Sequence, residues 1–158
     1  MVAELISVGT EILLGNITNT NARFLSERCA ALGISCYYQV TVGDNEGRLK
    51  SAITQALGRA DVVILTGGLG PTDDDLTKET AAFVLGLPLV EDAHTRERIE
   101  DYFKNGIHSK PTDNNWKQAL VPQGAIVVDN HNGTAPGLII ETKNNKTVIL
   151  LPGPPNEL

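Results

Sequence analysis

The apolar run "DVVILT" (residues 61–66) passes directly into "GGLGPTDDDLT" (residues 67–77). A strand that is apolar at consecutive positions has two faces to bury, so it belongs inside a sheet covered on both sides. The stretches before it fit that requirement. "AELISVG" (residues 3–9) reads as a short buried strand ending in glycine, and "ISCYYQVTVG" (residues 34–43) is rich in β-branched and aromatic residues. Between them lies "NTNARFLSERCAALG" (residues 19–33), with Leu25, Cys29 and Leu32 on one helical face and Gly33 as its stop. Residues 45–58 carry Leu49, Ile53 and Leu57 in helical register and are expected to end at Gly58. A further helix is expected from Thr77 to Leu85. Strand, helix, strand, helix, strand, helix in this order predicts a mostly parallel sheet with helices on both faces. Right-handed crossovers then bring the loops after the first and third strands to one carboxyl edge, where open α/β sheets bind ligands.

The second half is less regular. Residues 92–105 read as a helix, "SKPTDNN" as a loop, and Trp116 to Leu120 as a short helical piece. "AIVVDN", "GLIIET" and "KTVILLP" read as strands, the last two joined by the hairpin-like "KNN". The 158 residues make one domain, and the proline-glycine turn of "PGPPNEL" after a strongly apolar strand predicts a piece of a longer protein. With 41% hydrophobic residues, 20% charged ones and a net charge of −6, the chain has neither the basic footprint of a nucleic-acid binder nor a membrane-spanning run. The start carries Glu4 and no basic segment, so a signal peptide is not expected and a cytoplasmic location is. Cys29 and Cys36 lie on different elements and read as free buried thiols.

The loop over residues 66–77 poses a chemical question. Gly67, Gly68 and Gly70 allow positive φ and close backbone approach, which suits phosphate oxygens. Asp73, Asp74 and Asp75 would repel the same phosphates unless a cation lies between. A tight turn with one acid at a helix N-terminus would explain a single aspartate, and Thr72 or a following aspartate could cap that helix. Three acids beside three glycines favour a ligand site. The loop after the first strand adds Glu11, Asn19 and Asn21; Asn19 reads best as a helix cap. "DNHNGTAPGL" (residues 129–138) supplies Gly133 and Thr134, and "LPGPP" (residues 151–155) supplies Gly153. His94, His108 and His131 have no metal-ligand spacing and read as surface histidines. There is no GxSxG, no Walker lysine and no full GxGxxG.

Taken together, "SVGTEILLGNITNTN", "VTVGDN", "VVILTGGLGPTDDDLT", "KQALVPQGA", "GTAPG" and "LPGPPNEL" resemble the amino-terminal domain of the CinA family of competence/damage-inducible proteins. That family lies in the molybdopterin-binding superfamily with MogA, MoaB and parts of MoeA and gephyrin. The resemblance implies an α/β fold, a three-layer α/β/α sandwich with a mostly parallel sheet of the MogA/MoaB-like kind. In the molybdopterin enzymes the loop reads roughly GGTGxxxRDxT; Asp75 and Thr77 fall on its aspartate and threonine, and Asp74 replaces the arginine. That change argues against pterin adenylylation. The resemblance implies hydrolysis of the diphosphate of ADP-ribose with a divalent ion (Mg, Co or Mn) and potassium. A carboxyl-terminal deamidase domain of longer members is not assigned to this chain.

On this expectation Glu11, Asp74 and Asp75 are catalytic, with Glu11 and Asp75 also candidate metal ligands. Gly67, Gly68, Gly70, Thr72, Asn21, Gly133, Thr134 and Gly153 bind substrate, with Gly133 and Gly153 on the nucleoside. The expected partners are a small nucleotide and a second copy of the chain, not nucleic acid or membrane. Two rivals stand beside it: molybdopterin binding or nucleotidyl transfer in molybdenum cofactor biosynthesis, and a non-catalytic nucleotide-binding scaffold.

Overall fold

A computed structural model describes residues 1–105 and 111–158, which leaves His108 and part of the expected "SKPTDNN" loop outside the described residues. The elements in order are β1 (Val2–Val8), α1 (Thr10–Leu13), α2 (Thr20–Ala31), β2 (Ser35–Val42), α3 (Glu46–Arg59), β3 (Val62–Thr66), α4 (Thr77–Leu85), β4 (Leu89–Glu91), α5 (Ala93–Asn105) and α6 (Asp113–Trp116). A 3-10 turn (Lys117–Ala119) and the strands β5 (Leu120–Pro122), β6 (Ile126–Val128), β7 (Gly137–Glu141) and β8 (Thr147–Leu151) follow.

The main sheet has the order β2-β1-β3-β8-β7-β6. Its four strands β2, β1, β3 and β8 are parallel, and β7 runs antiparallel to both β8 and β6. Strand alternation divides the core into two layers. Ala3 and Leu5 of β1 and Ile64 of β3 pack with Leu25 and Cys29 of α2 on one face. Ile6, Val63 and Leu65 pack with Leu49, Ile53 and Ala56 of α3 and Ala81 of α4 on the other. This is the expected sandwich, with the sheet between helices.

Local signals explain the helix limits. The Asn19 side chain accepts from Ala22 N–H at 3.1 Å and starts α2, and Gly33 leaves it at φ +70°. The Asn45 side chain does the same for α3 through Arg48 N–H at 3.0 Å. Gly58 does not end α3: the helix continues to Arg59, and the extended Ala60 closes it. The expected helical piece ending at Leu120 is also corrected, because Leu120 opens β5, which pairs antiparallel with β4 in a separate small sheet. Among the described residues no helix is long and apolar enough to cross a membrane. Cys29 is buried and Cys36 half-buried, both are free, and burial pushes both thiols up.

The topology assembles one edge. β1, β3 and β8 end there, and β6 is antiparallel to β7, so the 129–136 loop between them lies at the same edge. The segments after Val8, Thr66, Val128 and Leu151 thus meet.

Candidate functional site

At that edge lies a cavity of about 840 Å³. Of the residues expected from the sequence, Glu11, Asn21, Gly67, Gly68, Gly70, Asp74, Asp75, Gly133, Thr134 and Gly153 all line it. Thr72 does not line it; its hydroxyl and N–H turn to Asp75.

The glycine turn is the most constrained wall. Gly67 and Gly68 have φ of +91° and +67°, a region that residues with a Cβ rarely adopt. A Cβ on Gly67 would overlap the Val8 carbonyl oxygen, and one on Gly68 would overlap the Thr77 hydroxyl. That hydroxyl is fully buried and donates to Gly67 O at 2.7 Å, while Thr77 N–H donates to Gly68 O at 3.1 Å. Gly67 N–H in turn donates to Leu151 O at 3.1 Å, so the turn is tied to β8.

The acidic half of the loop folds on itself. One oxygen of Asp75, Oδ2, accepts from Thr72 N–H at 2.9 Å and from the Thr72 hydroxyl at 2.5 Å. Neither residue caps α4, contrary to the sequence expectation: the residue at its N-cap is Leu76, without a side-chain bond. The local Thr72–Asp75 bond competes with the cap and wins.

Further tethers join the walls. Asn21 donates from Nδ2 to Gly153 O at 2.7 Å, and a Cβ on Gly153 would stand 3.3 Å from Gly67 Cα. Gly133 carries the Glu157 carboxylate against its Cα, and Asn130 Nδ2 holds that carboxylate at 2.8 Å. Asp44 Oδ2 accepts from Thr10 N–H at 3.0 Å and from its hydroxyl at 2.7 Å. Beyond the loop region, His94 Nε2 meets Asp129 Oδ1 at 2.9 Å and Arg98 meets it at 3.2 Å, which ties α5 to the 129–136 loop and holds the Asp129 carboxyl below its ordinary range.

Sequence reasoning missed several residues that line the cavity. Asp44, Gln118 and Glu157 lie inside "VTVGDN", "KQALVPQGA" and "LPGPPNEL", so the motifs carried them without marking them. Tyr102 and Phe103 of α5 carried no signal beyond helical spacing.

The electrostatics are one-sided. Glu11, Asp44, Asp74, Asp75 and Glu157 line the cavity, and no Lys or Arg among the described residues does. Among the described residues no three Asp, Glu, His or Cys side chains converge as a ready-made metal cage. Asp44, Asp75 and Glu157 already hold protein donors, which leaves Glu11 and Asp74, among the described residues, as the carboxylates turned to no protein donor. These two are the hard oxygen donors of the lining that would be open to an ion of the magnesium type, which keeps waters and binds through one or two carboxylates.

Against known proteins, the family described as "Probable molybdopterin binding domain" matches residues 4–158. The chain is 36% identical to the CinA protein of Thermoplasma acidophilum, described as of unknown function, with TM-score 0.91 over 99% of this chain and 92% of that one. The chain belongs to the CinA family of the molybdopterin-binding domains. Among its relatives, the "Putative competence-damage inducible protein" of Thermoanaerobacter sp. (strain X514) is 58% identical over 158 residues, all of this chain. That of Clostridium beijerinckii is 54% identical over the same span. The chain spans 38% of the length of either relative. The molybdopterin biosynthesis enzyme MoaB of Thermus thermophilus shares the fold, with TM-score 0.62 and 16% identity over 99% of this chain and 83% of that one. In this CinA-type domain the family match thus takes in the edge where the glycine turn and the carboxylates meet.

Proposed function

We propose that the cavity binds a phosphorylated pterin of the molybdopterin class, with the phosphate on the glycine turn and the ring toward Gly133, Thr134 and Gly153. The observation that carries this reading is the match to the molybdopterin-binding family over residues 4–158, which spans every loop of the cavity. The geometry supports it: Gly67 N–H is spent on Leu151 O, but the N–H groups of Gly68 and Gly70 donate to no protein acceptor among the described residues, and they stand at a sheet's carboxyl edge, where phosphate esters can be held without side-chain cations.

A specific observation favours a second reading. The lining carries five carboxylates and, among the described residues, no Lys or Arg, and Asp74 stands where the molybdopterin enzymes resembled here carry arginine. This favours metal-assisted hydrolysis of a nucleotide diphosphate of the ADP-ribose kind. Glu11 and Asp74 would hold the divalent ion, Mg, Mn or Co. A bound divalent ion neutralises phosphate charge and lowers the pKa of its water. Gly67, Gly68 and Gly70 would position the diphosphate, and Asn21 would fix the Gly153 turn beside the nucleoside. Asp75, with Oδ2 committed to Thr72, would shape the loop while its other oxygen faces the reacting water. We extend the second reading to potassium as an accessory ion, and both readings to a cytoplasmic homodimer.

One experiment separates them. The protein is incubated with molybdopterin and with ADP-ribose, each with Mg, Mn or Co ions and with EDTA. Pterin fluorescence that co-elutes with the protein, without release of AMP, supports the first reading. AMP released only with a divalent ion supports the second. Neither outcome in any ion sinks both and leaves the scaffold.

A further inference from the structure

The motif "KQALVPQGA" has no part in either reading, yet its first two residues hold the glycine and acidic loop, Lys117 from outside the cavity wall and Gln118 from within it. Lys117 Nζ donates to Thr72 O at 2.8 Å and to Asp75 O at 2.6 Å. Gln118, 3% exposed, donates from Nε2 to Leu69 O at 3.2 Å. The Lys117 carbonyl is itself gripped by the ammonium of the buried Lys78 at the start of α4. Three carbonyls of one loop, those of residues 69, 72 and 75, are thereby held by two adjacent side chains.

The described peptides are all trans, so each C=O points opposite to the N–H of the next residue. Fixing Leu69 O sets the plane of the Leu69–Gly70 peptide, and Gly70 lines the cavity. Fixing Thr72 O and Asp75 O pins both ends of the 72–75 segment, whose Asp74 and Asp75 line the cavity. Lys117 is absent from the cavity wall, so it reaches a ligand only through the loop it holds.

We propose that Lys117 is the positioning residue of the site, which with Gln118 holds the loop in the shape that brings Gly70 and the acidic segment to the phosphoryl group of the ligand. The inference rests on the reading that a phosphoryl group sits on the glycine turn, and it is common to the pterin and diphosphate versions of that reading. Its ligand chemistry is a phosphoryl oxygen, with a divalent cation in the diphosphate version.

The test compares Lys117→Met and Lys117→Arg with Ile140→Val, a core change remote from the loop chosen for a similar loss of melting temperature. Calorimetry measures binding of inorganic pyrophosphate and of ADP-ribose, each with manganese. Loss of a charge-assisted anchor predicts that Lys117→Met weakens both by a common factor of about 10 to 100. Lys117→Arg should restore most of that loss, and Ile140→Val should bind like wild type. If the methionine variant does not fold, the milder Lys117→Gln carries the same expectation. Pyrophosphate binding unchanged in the variant, or weakened equally in Ile140→Val, overturns the proposal. Wild-type protein that ignores ADP-ribose yet binds pyrophosphate in a Lys117-dependent way overturns the ADP-ribose reading and keeps this one. Wild-type protein that binds neither overturns both.

Discussion

Lys78 offers a prediction with a sign and a size. It lies at the second position of α4, 6% exposed, with its ammonium on the Lys117 carbonyl and 3.7 Å from Glu79 Oε1. Burial, the largest cause, pushes its pKa from 10.5 down to about 8; Glu79 raises it and Lys117 lowers it further. In the unfolded chain the same lysine keeps its proton up to about 10.4. Below pH 8 both states hold the proton, and the folded state bears the full penalty of a buried charge. Between pH 8 and 10.5 the unfolded state holds more protons, so the unfolding free energy rises with pH. Above 10.5 both states are neutral and the penalty has gone. A shift of that size corresponds to a rise of about 2 to 3 kcal/mol between pH 7 and pH 10.

Other groups titrate in the same window. Cys29 and Cys36 have raised folded pKa values and act in the opposite direction, because the unfolded thiols ionise first. The readout is therefore a difference. Urea unfolding of wild type and Lys78→Met is measured at pH 7, 8, 9 and 10, and the wild-type value minus the variant value is plotted. It should climb steadily above about pH 7.5. A flat difference would show that the lysine is not titrating in a buried place, and the argument would fail.

Three further outcomes follow from the site. Gly67→Ala places a Cβ on the Val8 carbonyl at a φ of +91° and should destabilise the protein by about 2 kcal/mol or more, read by denaturant unfolding. Thr77→Val removes the buried hydroxyl from Gly67 O and should cost about 1 to 2 kcal/mol in the same assay, with weaker ligand binding as the turn loosens. Glu11→Gln and Asp74→Asn should leave the melting temperature nearly unchanged, since neither carboxylate is turned to a protein donor among the described residues, yet abolish any ligand binding that EDTA abolishes. Calorimetry with manganese that shows wild-type binding in both would remove them from the site.

The large elements were legible because their signals are local and repeated. β3 is apolar on both faces, α2 and α3 carry asparagine caps and a regular buried stripe, and "KNN" turns through Asn145 at φ +56°. What escaped was short or decided by tertiary contact. β4 and β5 are three residues each and pair only with one another, and α1 is a single turn. Gly58 looked like a stop, but α3 is held to Arg59 by its packing, and the Arg59 side chain reaches the buried Glu4 of β1 with bonds of 2.8 and 2.7 Å. No window of sequence shows that pairing across 55 residues.

The glycines of the site carry a subtler lesson. From the sequence they read as room for a ligand. In the fold Gly67 and Gly68 each have a protein atom where a Cβ would go, Val8 O and Thr77 Oγ1. Gly70 and Gly133 do too, from the carboxylates of Asp75 and Glu157, and Gly153 packs against Gly67 Cα. The absent side chains let four loops close on one another, and the cavity is the space that remains. Two consequences differ from the simple reading. A valine at residue 153 would press on the Gly67 backbone and disturb the turn before any ligand met it, so such a variant reports packing and binding together. The carboxylates are the cleaner probes. Glu11 and Asp74 can lose their charge without opening a loop, whereas Asp75→Asn also weakens the bonds from Thr72 on which the loop's shape depends. The acidic row is thus divided in kind: Asp75 builds the loop, whereas Asp74 lines the cavity and meets no protein donor among the described residues.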